Sequence, residues 1–411
     1  MLTRTTFLDR SASGPGPQSR ERRYSTMRKS AIGLVVAGVA ASLVLSACSS
    51  SKKNNTTSAP AGGGTSAPAS GGSSSASGGG GALDGKGAKV GIILPDTKSS
   101  QRWVTADPDA LKAACQKNNL NCNIQNAQGS ATTMKTIAES MENDGVKVLM
   151  IVNLDNASGA AIEKEAQTKG VTTVDYDRLT LGGSAALYVS FDGVAVGDAQ
   201  GKALVQCPQV AGKSSVTYVD VNGSPTDSNA AAFKKGYDGV LSKQAGWKKV
   251  SDQSIKDWDN PTAGTTFASM LQRNPNIQAV MVANDGMANA VIGQLTNQHL
   301  NGKLAVSGQD ATAQGLQHIM DGDQCFTIYK PSKLEANPAV DAITQIVNGN
   351  LPQTTQTITD TQTGKKVPAI LATPIAITKA NVAVPINDGY TPKSQVCIGK
   401  YASLCTQNGV K

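Results

Sequence analysis

Histidine, aromatic residues and long apolar runs are all scarce in this chain of 411 residues. His299 and His318 are the only histidines, and no Cys-x-x-Cys pair occurs, so the residue types that form most metal sites are not clustered. Aromatic residues make up 4% of the chain and no basic block stands out in its expected folded part, which argues against nucleic acid as a partner. No Gly-x-Ser-x-Gly is present, and neither histidine follows a predicted strand. The sequence therefore predicts a protein that is not an enzyme and carries no metal or cofactor.

The apolar run near the N-terminus has the features of a secretory signal. It follows Met27-Arg28-Lys29, spans residues 31–45, and ends in Leu45-Ser46-Ala47-Cys48. A basic start, a short apolar run and small residues before the end are typical of such signals, and the run is short for a membrane-spanning helix. Leu-Ser-Ala-Cys matches the bacterial lipobox, whose cysteine is lipidated. An ordinary signal peptide with an incidental cysteine is the alternative.

We therefore divide the N-terminal part into three segments. Residues 1–26 are expected to be a gene-start extension, residues 27–47 a lipoprotein signal peptide, and residues 48–85 a lipidated Cys48 with a tether. The tether is nearly all Ser, Gly, Ala, Thr and Pro, a composition that buries too little apolar surface to fold. Residues 1–47 carry seven of the 38 basic and two of the 30 acidic residues, so the chain from Cys48 carries 31 − 28 = +3.

Six cysteines follow Cys48, and an even number in an exported protein favours disulfides. Short separations make Cys115–Cys122 and Cys397–Cys405 the natural pairs, which leaves Cys207–Cys325. A metal site is the alternative for these cysteines, although the chain offers no cluster of histidines to complete one.

From Lys89 onward, short β-rich apolar runs alternate with helical stretches. One set of strands runs from residues 90–94 to residues 171–175, and a second runs from 187–191 to 326–329. Continuous apolar strands that alternate with amphipathic helices indicate parallel sheets covered on both faces. The pattern predicts an α/β protein with two doubly wound parallel-sheet lobes, in which ligands bind beyond the carboxyl ends of the strands.

Polar and aromatic residues gather at those strand ends. Carboxylates, amides and arginine hydrogen-bond hydroxyl groups in fixed directions, and tryptophan offers a flat apolar surface. This set suits a carbohydrate better than a phosphate or a peptide. Each residue also has a structural interpretation: Asp192 and Asp285 are expected to cap the helices that follow them, and Trp103 or Trp258 alone would more often be core residues.

Several of these stretches, in this order and spacing, resemble the xylose-binding and multiple-monosaccharide-binding proteins of bacterial ABC importers, in the type I periplasmic binding protein class. The resemblance extends from Lys89 to about Lys393. The matching stretches are Arg102-Trp103, Tyr176-Asp177-Arg178, Tyr188-Val-Ser-Phe-Asp192, Gly223-Ser-Pro-Thr-Asp227-Ser-Asn229, Ala283-Asn-Asp285, Ser307-Gly-Gln-Asp310 and Tyr329-Lys330.

The resemblance implies a binding site made of ten residues. Eight would hydrogen-bond the sugar: Arg102, Asp177, Arg178, Asp227, Asn229, Asn284, Asp310 and Lys330. Trp103 and Trp258 would sandwich its ring, although Ser254 stands where xylose-type proteins have a further tryptophan. The stretch Lys98-Ser-Ser-Gln-Arg-Trp103 is more similar to the multiple-sugar relatives, whereas Asn284 is the residue expected of the xylose binders.

The resemblance also implies three crossings between the lobes, near Asp177–Arg178, near Lys330–Pro331 and within residues 350–370. The first lobe would then comprise residues 86–177 with 331–352, and the second residues 178–330 with 353–411. The expected role is a monomeric, lipid-anchored protein on the extracytoplasmic face of the cell membrane. It would deliver one monosaccharide, D-xylose first and glucose, galactose or arabinose next, to the membrane subunits of an ABC permease.

Two other classes compete with an importer subunit. A transcription regulator would share the two-lobed core but needs an N-terminal DNA-binding helix pair, where this chain has a lipobox. A co-receptor that reports sugar to a membrane signalling protein would have the same sequence features, so that alternative stays open.

Overall fold

Thirteen strands and twelve α-helices make up the part of the chain that the structure, a computed structural model, describes, residues 83–411. The predicted extension, signal peptide, lipidation site Cys48 and nearly all of the tether lie outside these residues. No helix within residues 83–411 has the length and apolar character needed to cross a membrane.

The strands of this range follow in chain order. They are β1 (Lys89–Leu94), β2 (Asn121–Asn126), β3 (Val148–Ile151), β4 (Thr172–Tyr176), β5 (Leu187–Phe191), β6 (Val216–Asn222), β7 (Trp247–Ser254), β8 (Ala279–Val282), β9 (Ala305–Val306), β10 (Thr327–Tyr329), β11 (Gln356–Thr359), β12 (Lys366–Ala372) and β13 (Ile375–Ile377).

The helices alternate with the strands over most of the chain. They are α1 (Ala106–Lys117), α2 (Ala131–Asn143), α3 (Asn156–Thr168), α4 (Gly193–Val205), α5 (Ser228–Leu241), α6 (Asn260–Arg273), α7 (Asp285–Asn297), α8 (Ala313–Asp321), α9 (Lys333–Val347), α10 (Val384–Asn387), α11 (Lys393–Val396) and α12 (Tyr401–Gln407).

The first lobe is built on a seven-stranded sheet with the order β11-β12-β5-β4-β3-β1-β2, in which only β11 is antiparallel to its neighbour. Its interior strand β3 reads Val-Leu-Met-Ile and is buried on both faces, as parallel strands covered by helices are. Helix α9 packs against α1 on this lobe, in agreement with the segment expected there.

The second lobe is built on a four-stranded parallel sheet with the order β7-β6-β8-β9, beside the antiparallel pair β10 and β13. Its core includes residues from helices α4 to α7, among them Val196, Phe233 and Phe267. The short C-terminal helices pack against α8. Ile319, Ile386 and Val396 belong to a smaller hydrophobic cluster there. The α/β architecture predicted from the sequence is confirmed.

The sheets correct the predicted lobe boundaries. Strands β5, β11 and β12 were assigned to the second lobe, but all three belong to the first sheet. An apolar run indicates a strand without indicating its sheet, and here the deciding partners are distant in sequence: Ala369 of β12 lies opposite Tyr188 of β5.

The crossings between the lobes move accordingly. The first lies at Asp192, between β5 and α4, rather than at Asp177–Arg178. The second lies between β10 and α9, at Lys330–Pro331 as expected, and the third between β12 and β13, just beyond the predicted range.

The six cysteines of the described range are joined in three pairs. These are the pairs expected from the sequence: Cys115–Cys122, Cys207–Cys325 and Cys397–Cys405. The long pair spans 118 residues and joins the segment after α4 to the start of β10, so both of its cysteines belong to the second lobe.

Candidate functional site

One cavity between the two lobes is lined by all ten of the residues predicted to bind a sugar. Ser99, Ser100, Phe233 and Gln309 complete its lining. The predicted residues follow β1, β4, β6, β7, β8, β9 and β10. All but Lys330, which follows β10 of the antiparallel pair, come from the carboxyl ends of the two large sheets, where ligands bind in such folds.

The free space in this cavity is about 20 Å³, which is room for about one water molecule. It is small because polar side chains of the two lobes hydrogen-bond one another directly. A larger ligand must therefore open the lobes and replace some of these contacts. A wider groove of about 1090 Å³, lined partly by Ser99, Arg178, Asp227 and Trp258, opens beside the cavity.

Arg102 is the most heavily bonded of the predicted residues. Its guanidinium donates to Asp107 at 2.8 and 2.7 Å and to Asp177 at 2.7 Å, and it also contacts Glu335. Asp107 lies on α1 and Glu335 on α9, and both are fully buried. Burial raises the pKa of Glu335 to about 8, against the opposing effect of Arg102 and with a further contribution from Asp177. These partners fix the orientation of the guanidinium.

Asp177 is held by its backbone as well as by its side chain. Its carbonyl oxygen accepts hydrogen bonds from Tyr188 Oη at 2.9 Å, Ser190 Oγ at 2.8 Å and Asn229 Nδ2 at 2.8 Å. Burial alone would raise the pKa of its carboxyl, but Lys330 and two arginines outweigh burial and hold that pKa below its usual value. Asp177 therefore remains an ionised hydrogen-bond acceptor in the cavity.

Asp227 links three of the predicted residues. One carboxylate oxygen caps α5 by accepting from the backbone N–H of Asn229 at 2.9 Å. The other lies 2.9 Å from Arg178 Nε and accepts from Trp258 Nε1 at 3.0 Å. The Trp258 ring packs directly on Gly223, where an added Cβ would lie 2.1 Å from it. Glycine at that position is what lets the indole reach the cavity wall.

Further contacts between the lobes involve Asn284 and Asp310. Asn284 Nδ2 donates to the Ser99 carbonyl at 2.8 Å, and Ser100 Oγ donates to Asp310 Oδ2 at 2.7 Å. Lys330 Nζ lies 3.4 Å from Asp310 Oδ1. These are the contacts that an incoming ligand would have to displace.

Trp103 is buried, and its ring has two cationic neighbours. The Arg102 guanidinium lies 4.6 Å from the ring centroid and that of Arg178 lies 5.8 Å from it. These distances are typical of cation–π contacts.

Backbone strain is concentrated at the cavity. Nine non-glycine residues within 83–411 have a positive φ, and five of them lie in the cavity or next to it: Asp177, Asp257, Trp258, Asp310 and Ala311. Non-glycine residues are uncommon in this region of φ, and such residues cluster at ligand sites, where the surrounding structure holds them.

The structure corrects the interpretation of Asp285. Asp192 does cap α4, but α7 is capped by Asn284, whose Oδ1 accepts from the backbone N–H of Met287 at 3.0 Å. Asp285 is instead a buried anchor that accepts from Thr312 N and Gln324 Nε2, each at 2.8 Å. Burial raises the pKa of Asp285 to about 7.

Sequence reasoning missed several residues that the site uses. Gln309 lies inside a stretch that carries the resemblance, and Ser99 and Ser100 lie just before another, but none of the three was selected. Asp107 and Glu335 orient Arg102 from two helices, and no sequence signal connects them, because they are more than 200 residues apart.

The described residues contain one group of carboxylates close enough to share a metal ion, Asp220, Asp238 and Asp252. Lysines already occupy this group: Lys249 Nζ lies 2.8 Å from Asp220 and 2.6 Å from Asp238, and Lys234 Nζ lies 2.5 Å from Asp252. The cluster is thus a set of ion pairs on the second lobe.

Comparison with known proteins identifies the family. The sequence model of the family described as "periplasmic binding protein domain" matches residues 90–351, more than half of the chain. The chain belongs to the periplasmic binding protein family. Its relatives are solute-binding proteins, so this chain is a binding protein rather than an enzyme.

Two curated relatives and one solved structure illustrate the similarity. The D-xylose-binding periplasmic protein of Escherichia coli K12 is 34% identical over 321 residues, covering 77% of this chain and 94% of that protein. The multiple sugar-binding periplasmic receptor ChvE of Rhizobium radiobacter is 29% identical, covering 74% and 90%. A carbohydrate transporter solute-binding protein from Chloroflexus aurantiacus, solved with D-glucose, has a TM-score of 0.67 at 26% identity, covering 74% and 97%.

Proposed function

We propose that this periplasmic binding protein is the extracytoplasmic sugar-binding subunit of an ABC importer and that it closes on one monosaccharide. The observation that carries the proposal is the balance of charge in the cavity. Three cationic side chains, Arg102, Arg178 and Lys330, face three carboxylates, Asp177, Asp227 and Asp310. A lining rich in donors and acceptors but without net charge suits a neutral polyhydroxyl ligand better than a phosphate or an amine.

The fold supplies a mechanism for closure. Few residues at the three crossings absorb the rotation of one lobe against the other, and the ligand touches both lobes only when they are closed. Arg102 would approach the sugar from the first lobe, and Asn229, Asn284 and Asp310 from the second. The affinity is then the sum of these contacts less the cost of closing and ordering the site. The closed form is what the membrane permease would recognise.

D-xylose is the first choice of ligand, ahead of glucose, galactose and arabinose. The support is the similarity to the D-xylose-binding relative, which extends over 94% of that protein. The similarity to a multiple sugar-binding relative argues that the protein binds more than one of these sugars.

Calorimetric titration of the purified protein tests the proposal. Xylose, glucose, galactose, arabinose and ribose are titrated in turn, and xylose is expected to bind most tightly. Asp310→Ala should weaken binding at least tenfold, because loss of a charged hydrogen-bond partner costs about 1.5–3 kcal/mol. A folded wild-type protein that binds none of the five sugars would overturn the proposal.

We also propose that lipid at Cys48 anchors the protein to the membrane, and that residues 49–81 let it move near its permease. The support is the Leu45-Ser-Ala-Cys48 sequence and the composition of the tether. Cys48→Ala should shift the protein from the membrane fraction to the soluble or secreted fraction. Unchanged membrane association of Cys48→Ala would contradict the anchor.

A sensory role is the second candidate, because one relative of similar length is a receptor by its name. A deletion strain separates the two roles. Loss of growth on the bound sugar supports import, whereas normal growth with loss of sugar-induced gene expression supports sensing.

A further inference from the structure

Gln309 lines the cavity of the site but was not among the residues predicted to bind sugar. It is 2% exposed, and it stands between Gly308 and the predicted ligand residue Asp310. Within the part of the chain that the structure describes, its amide oxygen Oε1 accepts no hydrogen bond. Buried amide oxygens are nearly always paired, so this one needs an explanation.

The cavity concentrates such atoms. Eleven buried side-chain nitrogen or oxygen atoms lack a partner within residues 83–411, and three of them belong to residues of this cavity. They are the Trp103 Nε1 donor and the Gln309 Oε1 and Asp310 Oδ1 acceptors, the last with Lys330 Nζ at 3.4 Å. Because an unpaired buried polar atom is unfavourable, their concentration at one cavity points to a ligand that pairs with them.

The backbone holds Gln309 in place before any ligand arrives. Its carbonyl oxygen accepts from Asp285 N at 2.9 Å, and Asp310 N donates to the Ile328 carbonyl at 2.8 Å. A β-bridge pairs Gln309 with Ile328 directly, and Asp285 also holds Thr312 N at 2.8 Å. A side chain on such a fixed segment loses little freedom on binding, which favours a specific contact.

We propose that Gln309 is a specificity-determining contact of the sugar site, whose amide oxygen accepts a hydrogen bond from one sugar hydroxyl. The inference rests on the proposed function and adds a ninth residue to the eight whose side chains are predicted to hydrogen-bond the sugar. Gln309 and Asp310, at consecutive positions of one loop, then each accept a hydrogen bond from a sugar hydroxyl. The Trp103 indole N–H donates a hydrogen bond to a sugar oxygen. Sugars that lack the hydroxyl facing Gln309, or that present it in the other configuration, are disfavoured because the amide oxygen is left unpaired.

Substitution combined with altered ligands tests this contact. Gln309→Met keeps the length of the side chain and removes its hydrogen bonds. Calorimetry is run with the tightest-binding sugar and with the set of its monodeoxy analogues. Gln309→Met should bind the parent sugar about tenfold more weakly than wild type. For the single analogue that lacks the hydroxyl facing Gln309, wild type and variant should bind alike.

Gln209→Met is the matched control. Gln209 also has an unpaired amide oxygen, but it precedes β6, at the opposite end of the second sheet from the cavity. Its substitution should leave sugar affinity unchanged. Thermal unfolding of each variant establishes that it is folded, and Gln309→Leu replaces Gln309→Met if the latter is not.

The outcomes distinguish this inference from the proposed function. If Gln309→Met binds within about twofold of wild type while Asp310→Ala loses binding, Gln309 is not a contact and the sugar site stands. Equal losses for every deoxy analogue would assign Gln309 a structural role and overturn the inference. If wild type binds no sugar, the proposed function fails and this inference fails with it.

Discussion

Trp103 was predicted to stack on a sugar ring, but in the structure the Arg102 guanidinium already contacts the indole ring. The Arg102 guanidinium lies 4.6 Å from its centroid, and Trp103 Nε1 has no partner among the described residues. The indole therefore has two possible contributions to binding, through its face and through its N–H. Substitutions that remove one contribution at a time distinguish them.

Trp103→Ala removes both contributions and should weaken sugar binding at least about tenfold, through lost apolar contact and a cavity. Trp103→Phe keeps an aromatic face and removes only the donor, so an intermediate loss is expected. Titration calorimetry measures both affinities, and thermal unfolding verifies that each variant is folded. Wild-type affinity in Trp103→Ala would show that this indole does not contact the sugar.

Asp285 shows how neighbouring polar residues divide their tasks. Asn284 caps α7 and reaches across to the Ser99 carbonyl, whereas Asp285 points away and holds the loop that presents Asp310. The sequence Asn-Asp after a strand predicts a cap but does not say which of the two residues provides it.

Asp285→Ala should lower the free energy of unfolding by about 2–3 kcal/mol, because it leaves the half-buried Thr312 N–H and the buried Gln324 amide without their acceptor. It should also weaken sugar binding modestly, since the Asp310 loop loses its anchor. Asp285→Asn keeps an acceptor and should be milder in both respects. Thermal unfolding and titration calorimetry are the measurements. An Asp285→Ala protein as stable as wild type would contradict the anchoring role.

Among secondary-structure elements, the strands of the two parallel sheets were predictable, because each is a short apolar run between turn residues. Val148–Ile151 and Ala279–Val282 are fully buried on both faces, which is the pattern that indicates a parallel strand.

Sheet membership and the last strands were not predictable. Strand β11 is mostly exposed, and β12 mixes exposed, half-buried and buried residues. The pairing of β12 with β5 depends on contacts across more than 170 residues. Nine of the ten predicted site residues were selected because each follows a strand inside one of the matching stretches, whereas Trp258 lies outside them. The residues that orient them, such as Glu335, were missed because proximity in the fold leaves no trace in the local sequence.

Asp175 of β4 and Glu163 of α3 form a buried carboxyl pair with consequences for stability. Asp175 accepts from Thr180 N and Oγ1, both at 2.7 Å, and Glu163 on α3 accepts from Ser184 N. Both carboxyls are fully buried. Burial raises the pKa of Asp175 well above its usual value, with a further contribution from the nearby Glu163, and burial raises the pKa of Glu163 as well.

This pair should make the protein less stable as the pH rises. A raised carboxyl pKa means that the folded protein keeps a proton that the unfolded chain releases near pH 4. The stabilising contribution is therefore complete below about pH 4 and is lost as the pH rises through the folded-state pKa. Glu163→Gln removes one of the two ionisable groups. The melting temperature of this variant, relative to that of wild type, should therefore increase as the pH rises from about 5 to about 8.

The control for this comparison is Glu139→Gln, at a glutamate of α2 whose side chain is 41% exposed. Its melting temperature should keep a constant difference from wild type over the same range. If Glu163→Gln shows the same constant difference, the pair does not hold a proton in the folded protein.

At the scale of the whole molecule, the two lobes are joined by three chain crossings and by polar contacts across the cavity. Ser100 donates to Asp310, Asn284 to Ser99, and Asn229 to Asp177. These contacts are individually weak, because each replaces a hydrogen bond to water. A sugar that hydrogen-bonds both lobes at once can do so only in the closed form, so it binds the closed form more tightly than the open form. This difference in affinity shifts the equilibrium toward the closed form.

Sugar should therefore make the protein more compact in solution. Small-angle X-ray scattering of wild type with and without its tightest-binding sugar should show a smaller radius of gyration when the sugar is present. Asp310→Ala, at a sugar concentration that saturates wild type but not the variant, should keep the larger radius. Binding detected by calorimetry without any change in scattering would mean that the lobes do not move on binding, and the sugar would then have to enter through the groove between Ser99 and Trp258.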